Sequence, residues 1–64
     1  MLEIAVVWKD NERKPSYFTG IESIKFPTLM DYPNVYRLHG KDETLKYIIS
    51  QDSILYIHVK ELKE

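Results

Sequence analysis

Apolar residues recur along this chain in short segments with the two-residue period of a β-strand. The first segment covers residues 2–9, and its most regular face carries Leu2, Ile4, Val6 and Trp8. Ala5 and Val7 make the opposite face apolar too, which is typical of a strand covered on both sides. The polar residues 10–15, which end in a proline, predict an exposed loop after this strand.

A glycine and two prolines interrupt the middle of the chain. The second segment, residues 17–26, contains Gly20, and a glycine inside a strand pattern predicts a bulge or a bend. Pro27 ends this segment, because proline has no N–H group to donate to a sheet. Residues 28–33 end in a second proline and predict an irregular connection or a short helical turn.

The pattern of the C-terminal half predicts two hairpins in series. The first joins residues 35–39 to residues 44–50 through a two-residue turn at residues 41–42. In this register Leu38 lies opposite Leu45, and the two tyrosines on the same face also pair. A loop of odd length would instead place Leu38 opposite a threonine and would separate the apolar side chains.

The second predicted hairpin joins residues 44–50 to residues 54–60 through a three-residue loop, residues 51–53. The two registers together place eight large apolar side chains on one continuous face: Tyr36, Leu38, Leu45, Tyr47, Ile49, Leu55, Ile57 and Val59. Such a face is typical of the buried side of a sheet.

Residues 44–50 also allow a helical interpretation. Asp42 could cap a helix whose buried stripe contains Leu45, Ile48 and Ile49. The β-branched and aromatic residues of this segment favour a strand. The sequence therefore predicts an all-β domain over residues 1–64, with about five antiparallel strands in meander order. Strong bending would bring this sheet close to an SH3-like or Sm-like barrel.

The small size of the chain limits its stability and favours a partner subunit. A chain of 64 residues buries roughly 60% of the surface that its unfolded form exposes. It has no cysteine, so neither disulfides nor thiolate zinc sites can stabilise it. Oligomerisation is the remaining common support for a domain of this size.

Composition argues against several classes of function. The formal net charge of −1 argues against general electrostatic capture of nucleic acid or anionic membranes. No apolar run approaches the ~20 residues of a membrane span, and no signal-peptide pattern precedes the first strand. We therefore expect a cytoplasmic protein without membrane contact. The chain has only two glycines, which excludes a glycine-rich phosphate loop, and we expect no cofactor.

The two histidines are the strongest candidates for chemistry, because an unperturbed histidine titrates near neutral pH. His39 and His58 could each act as a general base or a metal ligand. Neither has an acidic residue at a spacing that would orient it, and the chain has no His-x-x-x-His pair on a helix. We expect both to be solvent-facing strand residues, and we predict neither a metal site nor an enzymatic activity.

The second face of the predicted C-terminal sheet suggests a function. Its apolar residues in the predicted registers are Val35, Ile48, Ile54 and Tyr56. A sheet that is apolar on both sides must be covered on both sides, or else it exposes a binding patch. Cover from the N-terminal strand is one alternative, and a second copy or another protein is the other. We predict a non-enzymatic protein-interaction or assembly module that self-associates.

A small nucleic-acid-binding β domain is the alternative function. The predicted register places Arg37 directly opposite Lys46, and like charges in that position destabilise a sheet unless acids or a bound anion compensate them. Exposed aromatic side chains beside such a pair could stack on the bases of a single strand.

Overall fold

The computed structural model describes residues 1–62 and shows the predicted all-β architecture; the last two residues of the predicted domain lie outside the described residues. Six strands follow one another: β1 (Leu2–Trp8), β2 (Ser16–Ile21), β3 (Ser23–Lys25), β4 (Val35–His39), β5 (Leu45–Ser50) and β6 (Ile54–Glu61). Two three-residue 3₁₀ turns, Lys41–Glu43 and Gln51–Ser53, precede and follow β5. Within the described residues, no helix has the length and apolar character needed to cross a membrane.

The six strands form two antiparallel sheets of three strands each. The first sheet has the order β2-β1-β6, and the second has the order β3-β4-β5. The strand count is therefore six instead of the predicted five, and within residues 1–62 the strands form two separate sheets. The extra strand arises where the segment predicted as one strand over residues 17–26 divides at Glu22, between β2 and β3.

The two sheets pack through a small core. Among residues 1–62 it consists of seven buried apolar side chains: Ile4, Val6, Trp8, Ile21, Leu38, Ile49 and Ile54. The first sheet supplies the residues from β1, β2 and β6, and the second supplies Leu38 and Ile49. The strand period explains this selection for β1, since Ile4, Val6 and Trp8 alternate and therefore point to the same side.

The first predicted hairpin exists, but its predicted register is wrong. Leu38 lies opposite Tyr47 and Tyr36 lies opposite Ile49, two residues away from the predicted pairing. The turn is longer than two residues, because a 3₁₀ turn at Lys41–Glu43 replaces the tight reversal. From Val35 to Leu38 the shift is two residues, which keeps these side chains and their partners on the predicted faces, since the strand period is also two. Beyond Leu38 a bulge changes the register again, and Leu45 lies opposite His39 instead of Leu38. The strand interpretation of residues 44–50 is confirmed.

The second predicted hairpin is wrong. β6 does not pair with β5; it pairs with β1 along its whole length, from Leu2 opposite Glu61 to Trp8 opposite Ile54. A bulge in this ladder makes Leu55 the extra residue, so Ile54 lies in the core while Leu55 is 64% exposed. The predicted continuous face across β4, β5 and β6 therefore does not form, because β5 and β6 belong to different sheets.

Gly20 supplies the bend that the sequence predicts within the second segment. Its φ of +72° lies in the left-handed region, and the β1–β2 register shifts beside it. A methyl group added at Gly20 would approach only Nζ of Lys46, at 3.5 Å, so a substitution would strain the backbone without a clash. Because the left-handed conformation costs a non-glycine residue about 1–2 kcal/mol, we expect Gly20→Ala to lower the free energy of unfolding by that amount.

Urea denaturation of the Gly20→Ala variant provides the measurement. Gly20→Asn is the matched control, because asparagine tolerates positive φ better than alanine and should cost less. Equal losses for the two variants would contradict an explanation by backbone conformation.

Candidate interaction site at the β5 edge

Strand β5 is an edge strand that carries large apolar side chains. Its only described partner is β4, so its other side is unpaired within residues 1–62. Leu45, Tyr47 and Ile48 are 46%, 45% and 57% exposed. An exposed apolar edge strand is a ready template for pairing with another chain, and natural proteins usually protect such edges. This combination makes the β5 edge the first candidate site.

The backbone hydrogen bonds determine which groups of β5 are free. The N–H group of Gln51 donates to the carbonyl of Asn34 at 2.7 Å, one step beyond the β4–β5 register. In an antiparallel ladder, hydrogen-bonded pairs alternate with non-hydrogen-bonded pairs. Ile48 and Ser50 therefore fall in non-hydrogen-bonded positions, and their N–H and C=O groups point away from β4. These groups are available to an added strand.

A cleft of about 600 Å³ lies between the edges of β2 and β5. Its lining residues are Trp8, Arg13, Ser16, Tyr17, Phe18, Tyr47, Ile48, Ile49, Ser50 and Ser53. The rings of Phe18 and Tyr47 meet across it, with their centroids 4.7 Å apart and their planes tilted by 55°. The two sheets therefore touch here through aromatic side chains and not through a backbone ladder.

One end of the cleft has an ordered cationic group. The guanidinium of Arg13 lies over the ring of Trp8, with its central carbon 3.7 Å from the ring centroid. The indole N–H of Trp8 donates to Oγ of Ser16 at 3.0 Å, which fixes the ring orientation. The loop that carries Arg13 is itself held by Asp10, whose carboxylate accepts from the N–H of Glu12 and whose carbonyl accepts from the N–H of Arg13.

The structure does not bring the four predicted face residues together. Val35 and Ile48 share the outer face of the second sheet, on β4 and β5. Ile54 is buried in the core, and Tyr56 lies on the outer face of the first sheet, opposite Val7. The predicted face depended on pairing between β5 and β6, so its residues divide between two sheets once β6 pairs with β1.

Arg37 and Lys46 do not form the predicted cross-strand pair. Arg37 lies opposite Ile48, and its guanidinium stacks on Tyr32 at 4.0 Å from the ring centroid. Lys46 is the extra residue of a bulge, and its side chain lies over Gly40, where an added methyl group would come within 2.8 Å of Cε. The two side chains therefore contact different residues. The predicted cross-strand pair does not form, and neither does its like-charge repulsion.

The histidines occupy different environments. Nδ1 of His39 lies 3.1 Å from the carbonyl of Glu43 and must donate to it, and Nε2 is buried without a partner in residues 1–62. His58 is exposed on the outer face of the first sheet, opposite Ala5 and not opposite Lys46 as predicted. In the described part of the chain, no three His, Asp or Glu side chains gather as a metal site would require.

The cleft has no counterpart in the sequence pattern, because its walls come from strands that do not pair. The single available signal was the exposed loop over residues 10–15, whose cations could have been considered beside Trp8. Comparisons of the chain with known protein families, with curated proteins and with solved structures found no match.

Proposed function

We propose that this domain is a non-enzymatic protein-interaction module that self-associates by pairing β5 of one copy with β5 of another. The main support is the exposed apolar edge of β5, where the N–H and C=O groups of Ile48 and Ser50 point away from β4. Antiparallel strands related by a two-fold axis can exchange these hydrogen bonds reciprocally, so one surface serves both copies. The second sheet would then continue across the interface as six strands.

Two further considerations support self-association. The described core has only seven buried apolar side chains, so a second copy would add apolar burial to a domain of limited stability. The exposed parts of Leu45, Tyr47 and Ile48 would lose contact with water in the paired form, which is favourable at about 25 cal/mol per Å².

We also infer that the strand order is that of a small SH3-like or Sm-like barrel. If β2 and β3 are taken as one strand bent at Glu22, consecutive strands pair from β1 to β5, and β6 returns to β1. The open position lies between β5 and β6, which the 3₁₀ turn Gln51–Ser53 connects. Barrels of this type have several unrelated functions, so the proposed function depends on the β5 edge and not on the fold.

Nucleic-acid binding through Arg37 and Lys46 has less support. Arg37 lies over the ring of Tyr32 and Lys46 lies over Gly40, so the two side chains contact different residues. The chain also has a formal net charge of −1, which gives no general attraction for phosphates.

Ile48→Asp should weaken self-association. With the two-fold axis beside Ile48, an aspartate there would lie opposite the same aspartate of the second copy on the outer face of the continued sheet, and like charges directly opposite each other destabilise strand pairing. The apolar contact between the two Ile48 side chains would be lost as well. We expect the dimer dissociation constant to rise by about tenfold or more, measured by size exclusion with light scattering across a wide range of protein concentration. Folding should persist, because Ile48 is 57% exposed in the single chain.

Leu55→Asp is the matched control, because Leu55 is similarly exposed but lies on β6 in the other sheet. It adds the same charge and should leave the dissociation constant unchanged. A wild-type chain that stays monomeric at every concentration would overturn self-association, as would equal weakening by both variants.

A further inference from the structure

We infer that the cleft between β2 and β5 binds an extended, acidic segment of another protein, which adds as a strand to the edge of β5. This inference rests on the proposed function, since it uses the same edge, and it specifies the chemistry of a second type of partner. The segment has two required features: an extended backbone beside β5 and a carboxylate at the Arg13 end of the cleft.

The shape of the cleft favours an extended backbone. One wall is the edge of β5, where Ile48 and Ser50 direct N–H and C=O groups outward. An added strand would use these groups for main-chain hydrogen bonds, which give affinity without sequence specificity. Alternate side chains of the segment would point inward onto the aromatic pair formed by Phe18 and Tyr47. Specificity would then come from these inward side chains and from the two ends of the cleft.

Arg13 favours a partner segment that carries a negative charge. Among residues 1–62 it supplies the only charged side chain of the cleft lining, and its guanidinium already lies over Trp8, with its central carbon 3.7 Å from the ring centroid. A stacked guanidinium keeps its N–H groups at the edge of the plane, where they match the two oxygens of a carboxylate. Trp8 pairs with Ile54, and the N–H of Lys9 donates to the carbonyl of Ser53, so this end of the cleft adjoins the end of β5. The carboxylate therefore belongs near the residue of the segment that lies beside Ser50.

The same features fit a protein segment better than a nucleic acid. Aromatic side chains could stack on bases, but affinity for a nucleic acid comes mainly from several cations along its phosphates. The cleft lining contains one cation, Arg13. One cation suffices for one carboxylate of a peptide that also gains backbone hydrogen bonds from β5.

The experiment uses two synthetic peptides and the full chain. The first is an N-acetylated octapeptide of two glutamates followed by alternating valine and threonine, so that its glutamates lie beside Ser50 when it pairs antiparallel to β5. The second is identical but begins with two lysines. The chain has one tryptophan, Trp8, which lies in the cleft beneath Arg13, so its fluorescence reports occupancy without a label. We expect the acidic peptide to bind about tenfold or more tightly than the basic peptide at low salt.

Two variants identify the residue that gives the preference for the acidic peptide. Arg13→Gln should remove most of the preference for the acidic peptide, because glutamine keeps a polar side chain but has no charge. Lys14→Gln removes the neighbouring charge from the same loop, outside the cleft lining, and should keep the preference. Equal binding of both peptides by the wild type would overturn the inference, as would equal losses in the two variants. Binding of oligothymidylate but of neither peptide would also overturn it, and would favour a nucleic-acid partner.

Combining this titration with light scattering separates the two proposals. A chain that dimerises but binds neither peptide would contradict the acidic segment alone. A chain that is monomeric and prefers the acidic peptide would contradict self-association alone. If both hold, the acidic peptide should convert dimer to monomer as it is added, because both partners use the edge of β5.

Discussion

Replacing Leu38 by alanine should remove most of the stability of this domain. Leu38 is fully buried on β4, the central strand of the second sheet, between Ile24 on one side and Tyr47 on the other. Truncating a buried leucine typically costs about 2–5 kcal/mol, because apolar contacts are lost and a cavity remains. A domain of 64 residues has a total stability of roughly 3–10 kcal/mol, so this loss should unfold a large fraction of the chain near physiological temperature.

Urea denaturation followed by the fluorescence of Trp8 measures this effect, since Trp8 is buried in the folded chain at 8% exposure. Leu55→Ala is the matched control: it removes the same atoms from a side chain that is 64% exposed, and we expect a change within about 0.5 kcal/mol. Similar losses for the two variants would show that Leu38 is not in the core that unites the two sheets.

Proline at position 47 should unfold the second sheet, whereas proline at position 48 should be tolerated. Counting from the hydrogen bond between Gln51 and Asn34, Tyr47 falls in a hydrogen-bonded position and points its N–H group at β4. Tyr47→Pro removes this donor, leaves a carbonyl of β4 unsatisfied and places the proline ring against the neighbouring strand. We expect a loss of about 2–4 kcal/mol beyond the loss from Tyr47→Ala.

Ile48→Pro removes an N–H group that points in the opposite direction, away from β4. The N–H group of Ile48 points to the free edge, and proline is found on edge strands where its missing donor faces solvent. We expect a loss below about 1 kcal/mol, measured by urea denaturation, together with loss of strand addition at β5. If Ile48→Pro were as destabilising as Tyr47→Pro, the N–H group of Ile48 would not point away from β4. The edge of β5 would then not offer free backbone groups to an added strand.

Local information in the sequence was sufficient for four of the six strands, β1, β4, β5 and β6, and for the buried faces of β1 and β4. The alternation of Ile4, Val6 and Trp8 indicated one buried face for β1, and the structure buries these three side chains. The β-branched and aromatic content of residues 44–50 indicated a strand over a helix. Leu38 and Ile49 kept their buried faces although the register was wrong, since the error was an even number of residues.

Local information was not sufficient for the pairing of β6. A hairpin joins each strand to its neighbour in sequence, and the second predicted hairpin joined residues 44–50 to residues 54–60. In the structure β6 pairs with β1 instead, and this choice makes β5 an edge strand. The same choice buries Ile54 and separates it from Tyr56, so the predicted interaction face could not form.

The sequence by itself therefore determined the all-β class, the approximate positions of β1, β4, β5 and β6, the irregularity at Gly20 and the buried faces of β1 and β4. These properties depend on the period of side chains along a strand and on the backbone preferences of single residues. The tertiary structure alone decided which strands pair, which edges stay open and where the cleft lies. Those properties depend on contacts between residues far apart in the chain, such as Leu2 with Glu61 and Phe18 with Tyr47, and no local pattern specifies which distant strands meet.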